Sequence, residues 1–184
     1  MIVLPDYGAC FVAVPKAGSQ AVSRWLERNA RKSRTFAAEG LHDWHATIAE
    51  VEATGELPFS LHDAWTFAVV RNPFDRLVSF CAKHDEGFAA DPQGTLRRRL
   101  ERDDERLLWP QVFFTAGVKT VYRFEALQEA CEAIRGRLGF EEAEPLERVN
   151  ASERGRYQSY YDAELKALAE SVYADDLRAF GYGF

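Results

Sequence analysis

The sequence lacks any apolar run approaching the roughly 20 residues of a membrane span, and no charged segment with a cleavage site opens it. It also lacks an excess of positive charge, because 23 lysines and arginines stand against 29 aspartates and glutamates. A general nucleic-acid binder would carry excess basic charge, so that class of protein is disfavoured. We therefore expect a cytoplasmic protein with no membrane span and no nucleic-acid partner, in which any anion site is local.

Cysteine is scarce as well. The three cysteines, Cys10, Cys81 and Cys131, are odd in number and scattered among apolar residues. This pattern predicts buried thiols in a reducing compartment rather than a disulfide framework or a metal site. No cluster of histidines, cysteines and carboxylates has the spacing of metal ligands, so we expect no bound metal.

The chain does contain short apolar runs that alternate with amphipathic segments. We predict strands at residues 10–14, 66–70 and 120–124, each followed by a helix. Alternating strands and helices predict an α/β fold of three α/β/α layers around a mostly parallel central sheet. A chain of 184 residues suits a single domain spanning residues 1–184.

The segment "PKAGSQ" joins the first predicted strand to its helix. Ligands of such sheets bind at the carboxyl ends of the strands, where the helix N-terminus would direct N–H groups at an anion. Gly18 permits close approach of the backbone, Lys16 adds a positive charge and Ser19 adds a hydroxyl donor. An ordinary turn with a surface lysine explains the segment alone equally well. It is not the GxxxxGK[ST] motif of nucleotide hydrolases, because Ala17 stands where a magnesium-binding hydroxyl would follow the lysine.

A second motif, "VVRNPFDRLVSF", follows the second predicted strand. Arg71 leaves the end of that strand, and Ser79 lies two turns into the next helix, on the same side as Asn72, Asp75 and Arg76. A guanidinium and a hydroxyl placed in this way could converge on one phosphate. The alternative is an arginine that caps the helix and an incidental serine. Two anion motifs at separate strand ends suggest a ligand with two phosphate groups at a distance.

The pair "PKAGS" and "RNPFDRLVS" resembles the cofactor motifs of sulfotransferases, especially the carbohydrate type. The resemblance extends through "WPQVFF", "VYRFEAL" and "YYDAELKALAESVYADDLRAFGY". It implies the P-loop-NTPase-like sulfotransferase fold. It also implies that the sulfuryl donor is 3′-phosphoadenosine 5′-phosphosulfate (PAPS), that the product is 3′-phosphoadenosine 5′-phosphate (PAP), and that no metal takes part.

The resemblance also implies roles for individual residues. The 5′-phosphosulfate would be held by Lys16, Ala17, Gly18, Ser19 and Gln20, and Lys16 would also stabilise the departing phosphate. Arg71 and Ser79 would hold the 3′-phosphate. The segment "NASERGRY" resembles the basic loop that closes over the nucleotide, which would add Arg154, Gly155 and Arg156, although a simple solvent loop remains an alternative. Gln20 departs from the family pattern, which favours small hydroxyl residues or glycine at this position.

The acceptor hydroxyl needs a general base, and the chain has four histidines. We predict that the base is His45, because "HAT" lies between the two motifs, where similar enzymes place a catalytic histidine or acid. His42 is the reserve candidate, and Glu39 is a weaker carboxylate candidate. His62 is predicted to be a loop residue.

The leading interpretation is a sulfotransferase that moves a sulfuryl group onto a hydroxyl of a carbohydrate or other polyhydroxylated acceptor, a small molecule or a glycan. A P-loop kinase of small molecules is disfavoured by the absent GK[ST] motif. A non-catalytic module that binds a phosphonucleotide remains the third hypothesis.

Overall fold

The computed structural model describes residues 1–30, 34–35, 44–55, 57, 59–102, 104–141, 144–146 and 154–184. The chain forms two compact units, the first comprising Met1–Val70 and Phe113–Val149, the second Arg71–Val112 and Asn150–Phe184. A single domain over residues 1–184 stays a prediction.

The first unit contains a sheet of five strands. The strands are β1 (Ile2–Leu4), β2 (Ala9–Val12), β3 (Arg34–Thr35), β4 (Trp65–Val70) and β5 (Thr120–Arg123). Strands β2, β4 and β5 are parallel neighbours, as predicted, whereas β1 runs antiparallel to both β2 and β3. In the order β3-β1-β2-β4-β5, the sheet is therefore parallel from β2 to the edge strand β5 and antiparallel on the side of β1 and β3.

The antiparallel strand β1 was not predicted, because a strand of three residues is too short to show a periodic pattern. A single 3₁₀ turn over Pro5–Tyr7 and Gly8 connects it to β2. Gly8 has a φ of 55°, in the left-handed region that glycine adopts at low cost. A connection this short can only join antiparallel neighbours, since a parallel crossover needs a dozen or more residues.

Helices α1 (Ser19–Asn29), α2 (Ile48–Thr54) and α6 (Leu127–Leu138) belong to the first unit. Apolar side chains of α1 and α6 form one buried cluster with the strands, including Val22, Trp25, Leu26, Ile134, Phe11 and Phe67. Every residue of β2 and of β4 is buried, which is the pattern expected of central strands in a parallel sheet. The predicted α/β fold, a central sheet with helices around it, is confirmed.

The second unit is helical. It contains α3 (Pro73–His84), α4 (Pro92–Leu100), α7 (Ala163–Val172) and α8 (Ala174–Phe180), and the short α5 (Gln111–Thr115) begins in it. Asn72 caps α3 by accepting from the Phe74 N–H, and Asp162 caps α7 by accepting from the Leu165 N–H. Within the described ranges, no helix is both long and apolar enough to cross a bilayer.

The three cysteines are free and buried, as predicted. Burial raises the pKa of each thiol to about 12. Because only the thiolate is a good nucleophile, we expect no fast reaction of the native protein with an aromatic disulfide reagent at about pH 8, and three reactive thiols in denaturant. Thiol titration with and without denaturant measures this difference. A cysteine that reacts in the native protein as fast as a small free thiol would contradict the expectation.

Candidate functional site

The loop between β2 and α1 is a strained turn. Lys16 and Gly18 both lie in the left-handed backbone region, with φ values of 61° and 79°. Glycine adopts this conformation freely, but for lysine it costs on the order of 1–3 kcal/mol. The Ala17 N–H lies 3.4 Å from the Val14 carbonyl oxygen and closes the turn. Strain at a charged residue indicates that the position serves more than folding.

Helix α1 begins directly after this turn. Gly18 is its N-cap and the helix has no side-chain cap, while its first hydrogen bonds run from the Ala21 and Val22 N–H groups to the Gly18 carbonyl. N–H groups ahead of these have no acceptor within a helix, so a helix N-terminus favours an anion. Ser19 is buried and Gln20 is exposed. The residue that differs from the family pattern, Gln20, therefore has an exposed side chain. Its backbone lies in the first turn of α1.

Gly18 also permits a close contact within the first unit. A Cβ atom at this position would lie 2.7 Å from Cδ2 of Phe124, at the end of β5. Residue 18 must therefore be glycine for two reasons, its positive φ and the proximity of the Phe124 ring. The first reason could be inferred from the sequence, whereas the second could not.

His45 is buried beside the strand that leads into the loop. Its Nδ1 lies 2.6 Å from the carbonyl oxygen of Ala13, which directly follows β2. A carbonyl can only accept, so Nδ1 carries the proton and Nε2 of the neutral ring is left as the basic nitrogen. His42 and Glu39 lie outside the described residues, and His62 is exposed next to Asp63.

In the second unit, one carboxylate binds two arginines. Nε and Nη2 of Arg71 lie 2.7 and 2.5 Å from Oδ2 of Asp75, and Nη2 of Arg154 lies 2.5 Å from Oδ1. The side chains of Arg71, Asp75 and Arg154 are only 11, 18 and 12 % exposed. We call these three residues the arginine cluster. The carboxylate of Asp75 therefore lies between two guanidinium groups that have little exposure to water.

The other predicted 3′-phosphate residues, Ser79, Gly155 and Arg156, lie close to members of this cluster along the chain. Ser79 lies one turn after Asp75 on α3 and is half-buried. The Gly155 N–H donates to the Tyr160 hydroxyl at 3.1 Å, and the Arg156 side chain is exposed. Of these three neighbouring residues 154–156, Arg154 is the one held in the mostly buried ion pair with Asp75.

Sequence reasoning missed the ion pairs of Asp75, which it placed only on the same side of the helix as Ser79. The available signal was the i,i+4 spacing of Arg71 and Asp75, which places oppositely charged side chains side by side. It also assigned no role to Gln111, which is fully buried, and did not identify Asp176, which is fully buried beside it. Nothing in the local sequence marks Asp176, because its partners lie far away along the chain.

Two observations bear on the chemistry. In the part of the chain that the structure describes, no three histidines, cysteines or carboxylates are grouped as metal ligands. Lys16 lies in the loop and two arginines meet at Asp75, although the chain as a whole carries a net charge of -6. The loop and the arginine cluster are therefore the candidate sites for anionic groups.

Residues 1–87 match the model of the sulfotransferase family. This match supports a sulfotransferase family assignment. It covers both motifs, from Lys16 to Ser79, and it supports sulfuryl transfer in general. No curated protein and no solved structure matched the chain. The resemblance of residues 88–184 to sulfotransferases, which includes Arg154, stays a prediction.

The loop between β2 and α1 allows a direct test of the double constraint on Gly18. We expect Gly18→Ala to lower the free energy of unfolding by about 2–4 kcal/mol, through its positive φ and through overpacking against Phe124. Gly8→Ala is the matched control, because Gly8 has a φ of 55° and a Cβ added there would meet no atom within 4 Å. Urea denaturation of both variants separates the two costs. Equal destabilisation by the two substitutions would show that the Phe124 contact contributes nothing.

Proposed function

We propose that the protein transfers a sulfuryl group from PAPS to a hydroxyl of a carbohydrate or another polyhydroxylated acceptor. The observation that carries the proposal is the arginine cluster, in which Asp75 holds two mostly buried guanidinium groups. Arginine pairs suit a phosphate monoester, because the planar guanidinium donates two parallel hydrogen bonds. The 3′-phosphate of PAPS is such a group.

The loop between β2 and α1 carries groups that favour an anion. The proposal assigns the 5′-phosphosulfate to Lys16, Ala17, Gly18, Ser19 and Gln20, where a lysine ammonium and an uncapped helix N-terminus favour an anion. When bound, PAPS supplies a sulfuryl group attached to a phosphate that can depart. Lys16 would then stabilise the negative charge of that phosphate. The family resemblance assigns three further residues to the proposed 3′-phosphate site: Ser79, Gly155 and Arg156.

His45 is the proposed general base. The hydrogen bond from Nδ1 to the Ala13 carbonyl fixes the tautomer of the neutral ring, so that Nε2 is the nitrogen able to take a proton from the acceptor hydroxyl. The same bond ties the imidazole to the end of β2, three residues before Lys16. Catalysis by proton removal depends on such a fixed orientation.

Calorimetry separates the proposed function from a kinase. We expect PAP to bind without added metal, and ATP with magnesium to bind at least about tenfold more weakly, because ATP lacks a 3′-phosphate. The opposite preference would contradict the sulfotransferase proposal and favour a kinase. A transfer assay with PAPS and a panel of sugars and other polyols, read by mass spectrometry, then tests catalysis. PAP binding without transfer to any acceptor would favour the non-catalytic module.

Replacement of His45 tests its assignment as the base. We expect His45→Ala to lower kcat by about 10²–10⁴-fold, since general base catalysis contributes this much, while the Kd for PAP changes less than about twofold. His62→Ala is the control, because His62 is exposed and should leave kcat unchanged. Steady-state kinetics and calorimetry supply the two readouts. Full activity of His45→Ala would eliminate His45 as the base and redirect attention to His42.

A further inference from the structure

The side chain of Gln111 is fully buried and binds the backbone of Arg71 at two points. Its Oε1 accepts from the Arg71 N–H at 2.9 Å, and its Nε2 donates to the Arg71 carbonyl at 2.8 Å. A residue opposite Arg71 in an antiparallel ladder would make the same two bonds with its own backbone. Strand β4 ends at Val70. The side-chain amide of Gln111 thus takes the place of a neighbouring strand at Arg71, the first residue after β4.

Asp176 fixes the orientation of this amide. The Asp176 carboxylate is fully buried, and its Oδ2 accepts from both the backbone N–H and the Nε2 of Gln111, at 2.8 and 3.1 Å. Its Oδ1 accepts from the Val112 N–H at 2.9 Å. Because an ionised carboxylate only accepts, the NH₂ group of the amide must face Asp176 and the Arg71 carbonyl. The amide oxygen is then left to accept from the Arg71 N–H.

Arg76 holds the segment that precedes Gln111. Its guanidinium is buried and donates to the carbonyls of Leu107 and Trp109, at 2.7 and 3.0 Å. Arg76 lies on α3, Gln111 begins α5 and Asp176 lies on α8. Side chains of α3 and α8 therefore fix the start of α5, and Gln111 at that start binds the backbone of Arg71. Burying two charges and an amide is costly, so a network of this kind indicates that the position of Arg71 matters.

We infer that Gln111 is a positioning residue of the proposed 3′-phosphate site, acting through the backbone of Arg71; this inference rests on the proposed function. Gln111 does not itself bind the phosphate. By fixing the N–H and the carbonyl of Arg71, it fixes the direction in which that side chain leaves the backbone. Paired hydrogen bonds between a guanidinium and a phosphate are directional, so a small displacement of the Arg71 backbone weakens them. Asp176 acts on Arg71 indirectly, by fixing the orientation of the Gln111 amide.

The test compares PAP with adenosine 5′-phosphate, which lacks the 3′-phosphate. The readout is the Kd of adenosine 5′-phosphate divided by the Kd of PAP, both measured by calorimetry. We expect Gln111→Met, which keeps the volume and removes both hydrogen bonds, to reduce this ratio on the order of tenfold to a hundredfold by weakening PAP alone. Gln111→Glu should reduce the ratio at least as much, because it loses the donor and places a second carboxylate against Asp176.

Two controls in the same unit separate positioning from general stability. Gln93→Met makes the same chemical change at an exposed residue of α4 and should leave the ratio unchanged. Leu96→Ala removes a fully buried side chain from the core of this unit and should lower the thermal midpoint without lowering the ratio. Should Gln111→Met fail to fold, Asp176→Asn provides the measurement, because it keeps the size of the side chain and changes the bonding of the amide.

The outcomes distinguish the inference from the proposed function. A wild-type protein with no preference for PAP would overturn the proposed function, and the inference would fall with it. A wild-type preference that survives unchanged in Gln111→Met, or in Asp176→Asn where that variant replaces it, would overturn the inference alone. So would a reduction in Leu96→Ala as large as that in the Gln111 variant, since the effect would then be one of stability.

Discussion

The arrangement of basic groups in the second unit depends on the carboxylate of Asp75. Two guanidinium groups that are almost removed from water repel each other, and each has lost most of its hydration. An anion between them compensates for both costs. Asp75 supplies that anion from the first turn of α3, where the Asn72 cap and Pro73 fix the start of the helix. The ion pairs of Arg71 and Arg154 therefore follow from where this helix begins.

Much of the fold was predictable, because its main elements follow local rules. Strand β4 is six consecutive buried residues, and the cap, the proline and the apolar face of α3 all lie within a few residues of each other. Gly139 ends α6 in the left-handed conformation, as a glycine after a helix is expected to do. Strands β1 and β3 were not predictable in this way. They have three and two residues, and only their pairing in the sheet defines them.

The candidate site divides along the same line. Lys16, Gly18, Arg71 and Ser79 could be proposed as site residues because each has a fixed spacing from a strand end or a helix start. The contact of Asp75 with Arg154, and the contacts of Gln111 with Arg71 and Asp176, join parts of the chain that have no periodic relation. Sequence rules describe neighbours along the chain, so they identify the groups that would meet a ligand more readily than the groups that hold them in place. His45 lies between these cases, since the family resemblance pointed to it and only the structure revealed the bond to Ala13.

The left-handed backbone of Lys16 sets the needs of folding against those of chemistry at a single position. Glycine would occupy this turn without strain, so stability alone would select a residue with no side chain. A lysine retained there is held by the surrounding structure at an energetic cost, and it carries the ammonium group that an anionic ligand would need. Screens that reward thermal stability alone would therefore favour glycine at residue 16. The variants they return would be more robust proteins that have lost the charge of the loop.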